Sequence, residues 1–152
     1  MRVAGLISDT HGLVREEALR ALAGVDLIIH AGDIGTPEVL ERLRALAPVH
    51  AVRGNNDRGG WARAIPETAA LELDGVRIHV LHDLNTLELE PRAARPAVVI
   101  AGHSHRPSAS ARDGVLYVNP GSAGPRRFKL PVTVGFLELR AGGAHARIER
   151  LL

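Results

Sequence analysis

The chain contains no cysteine. That excludes disulfides, thiolate metal ligands and cysteine nucleophiles together. It also fits a reducing compartment, so a cytoplasmic location is the expectation. Lysine is nearly absent: of 19 basic residues only Lys129 is lysine, and against 17 acidic residues the formal net charge is +2. Arginine suits bidentate contact with phosphate, but these arginines are scattered and most read as solvated surface. Aromatic residues make up 3%, too few for the row of rings on which successive bases stack. Dedicated nucleic-acid binding is therefore not expected, while substrates with one or two phosphates stay open. No apolar run approaches the roughly 18 residues that a membrane-crossing helix needs. The N-terminal residues run straight into a strand pattern, without the segments of a signal peptide.

What is present suits one globular domain over residues 1–152, with 45% hydrophobic and 24% charged residues. The first half alternates strand and helix signals. Residues 2–8 read as a buried strand. Residues 14–22 place Val14, Ala18, Leu19 and Leu22 on one helical face, and 26–30 are a strand again. Thr36 is placed as an N-cap with Pro37 at the first helical position, opening a helix through about Leu46. Residues 49–52 make a third strand, and the series predicts parallel pairing with right-handed crossovers. The second half is richer in strand. Asp74-Gly75, Asp113-Gly114 and Gly142-Gly143 each separate two β-favouring runs and predict hairpins. Ala97–Ala101 is one more buried run, and 55–68 and 119–131 read as long loops. Two sheets face to face with helices outside would hold both halves.

Polar clusters follow the apolar runs. Ser8-Asp9-Thr10-His11-Gly12 follows the first strand and Ala31-Gly32-Asp33 the second. Arg53-Gly54-Asn55-Asn56-Asp57 follows the third, His82-Asp83 ends the Val76–Leu81 run, and Gly102-His103-Ser104-His105 follows Val98–Ile100. Ligands of α/β proteins bind at the carboxyl ends of strands. Asp9 and His11 are two apart, a spacing that points both side chains one way if the segment is extended; His103 and His105 repeat it. The candidate ligands Asp9, His11, Asp33, Asn55, His82, His103 and His105 exceed what one tetrahedral ion takes. They suit two divalent ions sharing a carboxylate. Taken singly, each cluster reads as an ordinary turn or cap; their joint placement after strands points to a metal site.

The order Asp-x-His, Gly-Asp, Gly-Asn-x-Asp, His, Gly-His-x-His resembles the calcineurin-like metallophosphoesterase superfamily. Ser-Asp-Thr-His-Gly, Arg-Gly-Asn-Asn-Asp and Asn119-Pro120-Gly121-Ser122 look like its small YfcE-like phosphodiesterase branch. The resemblance covers nearly the whole chain. It implies an α/β fold, a four-layer α-β-β-α sandwich. It implies that Asp9, His11, Asp33 and His105 hold one ion, that Asp33 bridges, and that Asn55, His82 and His103 complete the second. The implied cofactor is two divalent ions, manganese first, with iron, zinc or nickel as alternatives. The implied activity is hydrolysis of small phosphodiesters by a hydroxide bridging the metals, with no covalent protein intermediate. Relatives form dimers and larger assemblies, so a homo-oligomer is open.

Two departures stand out. Many relatives carry histidine directly after Gly-Asn, where this chain has Asn56. Asparagine donates a hydrogen bond but cannot act as a general acid, so Asn56 is placed as a substrate-binding residue and poor leaving groups are expected to react slowly. Relatives usually read His-Gly-His where this chain reads His82-Asp83-Leu84; Asp83 is expected to cap the next turn, and residues 84–96 are short for a full crossover helix. Arg126 is a candidate for the substrate phosphate, with an uninvolved surface arginine as the alternative, and Trp61 reads as a loop anchor. His30 is expected to face the core. The competing reading is a non-catalytic metal-binding or protein-interaction scaffold of the same fold, as in the retromer branch. A nuclease or phosphoprotein phosphatase is disfavoured because larger relatives of those kinds carry added segments.

Overall fold

The computed structural model describes residues 1–88, 96–141 and 143–152. Ten strands form two five-stranded sheets. In the first, β1 (Arg2–Ile7), β2 (Leu27–His30) and β3 (Val49–Ala51) are parallel. β9 (Thr133–Arg140) pairs antiparallel with β1, and β10 (Gly143–Arg150) with β9, giving the order β10-β9-β1-β2-β3. The second sheet contains β4 (Thr68–Leu73), β5 (Val76–Leu81), β6 (Val98–Ile100), β7 (Ser108–Arg112) and β8 (Val115–Asn119) in the order β4-β5-β6-β8-β7. Within it β5, β6 and β8 are parallel. Parallel strands need crossovers, which is why the sequence alternates where it does.

The sheets face each other over one apolar layer. Leu6, Ile29, Leu137 and Leu139 from the first meet Ile78, Val80, Ile100 and Val118 from the second. Side chains of the opposite parity, among them Ile7, Ile28 and Phe136, turn outward onto the helices. A strand buried on both faces reads as an unbroken apolar run, as β1 and β2 do. Helix α1 (Glu16–Leu22) contributes Ala18 and Leu22 to that outer layer, and α2 (Pro37–Arg44) contributes Val39, Leu40 and Leu43. Glu16 and Glu17 in the first turn of α1, with Arg20 in its last, complement the helix dipole. Thr36 does occupy the extended N-cap position of α2, but its side chain makes no capping bond.

A four-residue helix, α3 (Gly60–Arg63), lies inside the long 55–68 loop and brings Trp61 against the helical side of the first sheet. Both Asp-Gly turns form as expected. Asp74 and Gly75, and Asp113 and Gly114, all have positive φ, the signature of the two-residue turn that matches strand twist. β9 and β10 form the third hairpin, but Gly143, expected in its turn, is already the first residue of β10 and pairs with Arg140, while Gly142 lies outside the described residues. Over the outer face of the second sheet the described residues place one 3-10 turn, Leu84–Thr86, with Leu84, Leu87 and Tyr117 covering Leu81, Val99 and Val115. Most of the predicted 84–96 connection lies outside the described residues.

Candidate metal centre

The polar clusters meet at the carboxyl ends of the parallel strands of both sheets. Beyond the strands the chains stay paired: Asp9 N–H donates to the Gly32 carbonyl, His11 N–H to the Asp33 carbonyl, and Gly102 N–H to the His82 carbonyl, each at 3.0 Å. The convergence is not that of an extended segment, as the two-residue spacing suggested. Asp9, His11, Asp33, His103 and His105 all have φ between +47° and +71°. The chain turns sharply at each, so the side chains are aimed by left-handed kinks rather than by strand alternation. Asp, Asn and His tolerate this region better than other residues with a β-carbon, and such backbone persists only where surroundings hold it.

Those surroundings are specific. The Asp57 carboxylate, 6% exposed, accepts from three backbone N–H groups: Gly54 at 2.9 Å, Ile34 at 3.1 Å and Gly35 at 2.9 Å. It ties the Asp33 turn to the Asn55 turn. Asn119 donates to the Gly102 carbonyl at 3.0 Å and accepts from Gly121 N–H at 2.9 Å. Ser122 donates to the Asp9 carbonyl at 3.0 Å. The Asn-Pro-Gly-Ser motif thus braces the His103 loop and the Asp9 turn. Glycine is required at two close approaches: a β-carbon on Gly102 would overlap Ser8 Oγ, and one on Gly54 would overlap Asp33 Oδ1.

His30 is fully buried beneath this floor, as expected, and is not a ligand. Its Nδ1 accepts from Gly32 N–H at 3.1 Å, so Nε2 carries the proton and donates to Thr10 Oγ1 at 3.0 Å. Thr10 in turn donates to the Ile34 carbonyl at 2.8 Å. Burial above all, with the neighbouring His82 charge adding to it, pushes the His30 pKa down to about 3. The ring is neutral at any ordinary pH and serves as a spacer with fixed polarity.

Asp9 and Asp33 stand at the centre. Asp9 Oδ1 lies 3.4 Å from His105 Nε2, 3.8 Å from His11 Nε2 and 3.9 Å from His82 Nε2. Asp33 Oδ2 lies 3.3 Å from His82 Nε2 and 3.8 Å from His11 Nε2. Two groups able to hold an ion result: Asp9, His11 and His105, and Asp9, Asp33 and His82. Among the described residues Asp9 belongs to both groups, while Asp33 belongs to the second and lies 3.8 Å from His11 of the first. Four buried atoms here have no hydrogen-bond partner: Asp9 Oδ1, His11 Nε2, His82 Nε2 and His105 Nδ1. A fully buried carboxylate oxygen left this way is costly unless a cation answers it, so the donor set fits divalent ions.

The His82 tautomer fits as well. Nδ1 lies 2.7 Å from the Ala31 carbonyl, which can only accept, so the proton sits there and Nε2 faces the carboxylates with its lone pair. Burial disfavours charge on His82, but the Asp33 and Asp9 carboxylates facing Nε2 and the Ala31 carbonyl at Nδ1 outweigh it and raise its pKa. Burial opposes ionisation of Asp33 too. His82 close beside Oδ2 and the hydrogen bonds from Asn56 overcome that, and hold its carboxyl well below the usual range.

The remaining candidates form a rim. Asn55 and His103 are exposed and line a cavity with Arg53, Glu67, His82 and Asp83. His103 gives its backbone N–H to Asp9 Oδ2 at 3.1 Å, while its ring stands edge-on to His82, 5.2 Å between centroids. Asp83 Oδ1 accepts from Asn85 N–H, capping the 3-10 turn as the sequence suggested, and its other oxygen lies 4.0 Å from His103 Nε2. Asn56 faces inward. Its backbone N–H donates to Asp33 Oδ1 at 2.9 Å and its amide to Asp33 Oδ2 at 3.0 Å. Both bonds hold the Asp33 carboxylate in place. Arg126 donates to the Leu130 carbonyl at 3.4 Å, beside a second cavity on the His11–His105 side. Asp57 and Arg127 belong to the site in addition to the residues expected from the sequence. Gly-Asn-x-Asp carried the signal for Asp57, since an aspartate closing a tight turn commonly bonds nearby N–H groups; nothing marked Arg127.

The model of the calcineurin-like phosphoesterase superfamily domain matches residues 1–142. The chain belongs to that superfamily. A probable metallophosphoesterase of Methanothermobacter thermautotrophicus is 35% identical over 133 residues, covering 78% of this chain and 75% of the relative. A solved archaeal phosphodiesterase superimposes with a TM-score of 0.79 at 25% identity, covering 97% of this chain and 99% of that one. The Escherichia coli phosphoesterase YfcE gives 0.70 at 26% identity, covering 90% and 88%. Vps29 of Chaetomium thermophilum gives 0.79 at 17% identity over 99% and 97%, a likeness of fold. Metallophosphoesterase chemistry and a requirement for divalent metal follow from membership. No helix among the described residues is long and apolar enough to cross a membrane.

Proposed function

We propose that the protein hydrolyses small phosphodiesters at a centre of two divalent ions. Four buried, unpartnered ligand atoms around Asp9 and Asp33 carry this reading. Asp9, His11 and His105 would hold one ion, and Asp33 and His82 the other, with Asn55 and His103 added from the rim. Both carboxylates lie where they can be shared, Asp33 being the bridge we favour. When bound, two such ions turn a water into a nucleophile near neutral pH and offset the phosphate charge. Manganese is our first expectation, with iron, zinc or nickel next, because mixed nitrogen and oxygen donors suit each of them.

The chain's own residues set what can leave. Asn56 has no proton of suitable acidity and is already bonded to Asp33. Of the rim, Arg126 carries a planar guanidinium that matches phosphate. The substrate is therefore a diester whose leaving oxygen is stable without protonation, such as a phenolate. The test is turnover of bis(para-nitrophenyl) phosphate by folded protein with and without manganese. Metal-stimulated release of nitrophenolate supports the proposal, and its absence from fully loaded protein rejects it. The Vps29 likeness gives a scaffold reading some weight. A metal-loaded but inactive protein that retains one stable partner would favour it.

A further inference from the structure

Phe128 is the most exposed large apolar residue described, at 90% exposure, against 75% for Met1 and 45% for Leu152 at the chain ends. Its φ is +54°, a region that costs a bulky residue more than Asp, Asn or His. A ring in strained backbone and bare to water is doubly unfavourable, a combination that proteins concentrate at ligand contacts. The ring borders a cavity of about 350 Å³ lined by His11, His105, Pro125, Arg126, Arg127 and Phe128. Two metal-ligand candidates and the ring thus line the same cavity. Two guanidinium groups lining it have no carboxylate partner among the described residues. Arg127 lies near enough to His105 that its charge lowers that pKa, behind the larger effect of burial.

This segment is held by what the rest of the chain supplies. Arg15 donates to the Gly124 carbonyl at 3.2 Å, and Gly124 N–H to Ser122 Oγ at 3.3 Å. The loop is anchored on its N-terminal side and presents Arg126, Arg127 and Phe128 outward. Trp61, the other large ring in a loop, packs against the helical layer and is unavailable. One free ring stacks one base, whereas a strand would need several in series.

We propose that Phe128 is a specificity-determining residue that stacks one nucleobase of a nucleotidyl phosphodiester, with Arg126 and Arg127 neutralising the phosphate between that base and the metal-ligand cluster. This rests on the diesterase reading and names its substrate class. The base belongs to the arm that is kept. Water adds to phosphorus and the bond to the other arm breaks. The products are a nucleoside monophosphate and the departing oxyanion, with the two protons of water passing to solvent or to those products.

Two substrates sharing one leaving group isolate the ring: thymidine para-nitrophenyl phosphate and methyl para-nitrophenyl phosphate, on manganese-loaded protein. The wild type is expected to favour the thymidine ester at least about tenfold in kcat/KM, the order of one base-on-aromatic stack. Phe128→Ala is expected to remove that ratio, Phe128→Trp to keep it, and Phe128→Leu to lose most of it. A wild-type ratio near one, or one unchanged in Phe128→Ala, overturns the proposal. A further large gain when a thymidine dinucleotide replaces the single nucleoside also overturns it, because that means strand binding. Calorimetry with thymidine monophosphate against methyl phosphate reads the same subsite without turnover. Should neither ester react while the calorimetric preference exists and falls in Phe128→Ala, the diesterase reading fails and the base subsite stands. Equal affinities in the wild type overturn the subsite whatever the turnover.

Discussion

The floor of the site and its rim use similar residue types under opposite constraints. On the floor, Asp9, Asp33, His82 and His105 are at most 6% exposed, and the turns carrying them are bonded to one another through Asp57, Thr10, Ser122 and Asn119. On the rim, Asn55, His103, Arg126 and Phe128 are exposed, and Arg126 has one bond, to a neighbouring carbonyl. The difference shows what each must do. A cation demands donors fixed to fractions of an ångström, which only a braced and buried frame provides. A substrate of variable shape needs chemistry within reach, and exposed side chains with free rotamers supply it. Changes on the floor should therefore alter metal content and stability, changes at Asn55 or His103 should weaken the second ion alone, and changes at Arg126 or Phe128 should alter which ester is cleaved.

The sharpest division comes from Asp33→Ala. It removes a carboxylate that belongs to one ligand group and lies beside His11 of the other, so metal content and diester turnover should fall together, by more than the 10- to 100-fold typical of disturbing a ligand's outer partner. Elemental analysis beside a nitrophenolate assay checks this, and wild-type metal content in the variant contradicts the assignment. Asp57→Ala touches no ion. It strands three backbone N–H groups and should cost about 3 kcal/mol of stability, read by urea unfolding of metal-free protein, with metal affinity weakened because two ligand turns come apart. A loss of activity without loss of stability would move Asp57 to the rim.

His30 gives the floor a pH signature. In the folded chain its pKa is depressed to about 3, while in the unfolded chain it titrates near 6.5. Below that value the unfolded state binds a proton that the folded state refuses, so stability falls as pH drops from about 6.5 towards 3. The contribution lost by pH 5 is about 2 kcal/mol, and His30→Gln should flatten that part of the profile in urea unfolding at successive pH values. The smallest effect is expected of Asn56→His. The backbone bond from residue 56 to Asp33 survives the change, so metal content should hold. A titratable group beside the leaving oxygen should raise monoesterase turnover about tenfold, towards the lower end of what a placed general acid gives. Unchanged monoesterase turnover would mean that residue 56 does not reach the leaving group.

Much of the fold was legible in the residues. The strands of β1, β2 and β5, both Asp-Gly turns and the Pro37 start of α2 rest on local signals: apolar runs, turn chemistry and a fixed proline φ. The floor residues were legible as candidates because acids and imidazoles collected after strands. Their geometry was not. Asp9 and His11 share an ion-sized space through left-handed turns, which neighbours from 20 to 110 residues away enforce. The bonds from Asn56 to Asp33 were not legible, because the two residues are 23 positions apart. The bare Phe128 ring gave no signal, since an aromatic in a loop is as often an anchor, as Trp61 proves to be.

By itself the sequence determined the inventory: no thiol chemistry, one chain of alternating and then strand-rich elements, and acids and imidazoles placed where strands end. Periodicity, turn preference and composition are properties of neighbours along the chain, so they survive without coordinates. Tertiary structure alone decided which oxygen faces which nitrogen, which of them lack a partner, and which ring is left in water. Those are matters of distance between segments far apart in sequence, set by how two sheets close on each other.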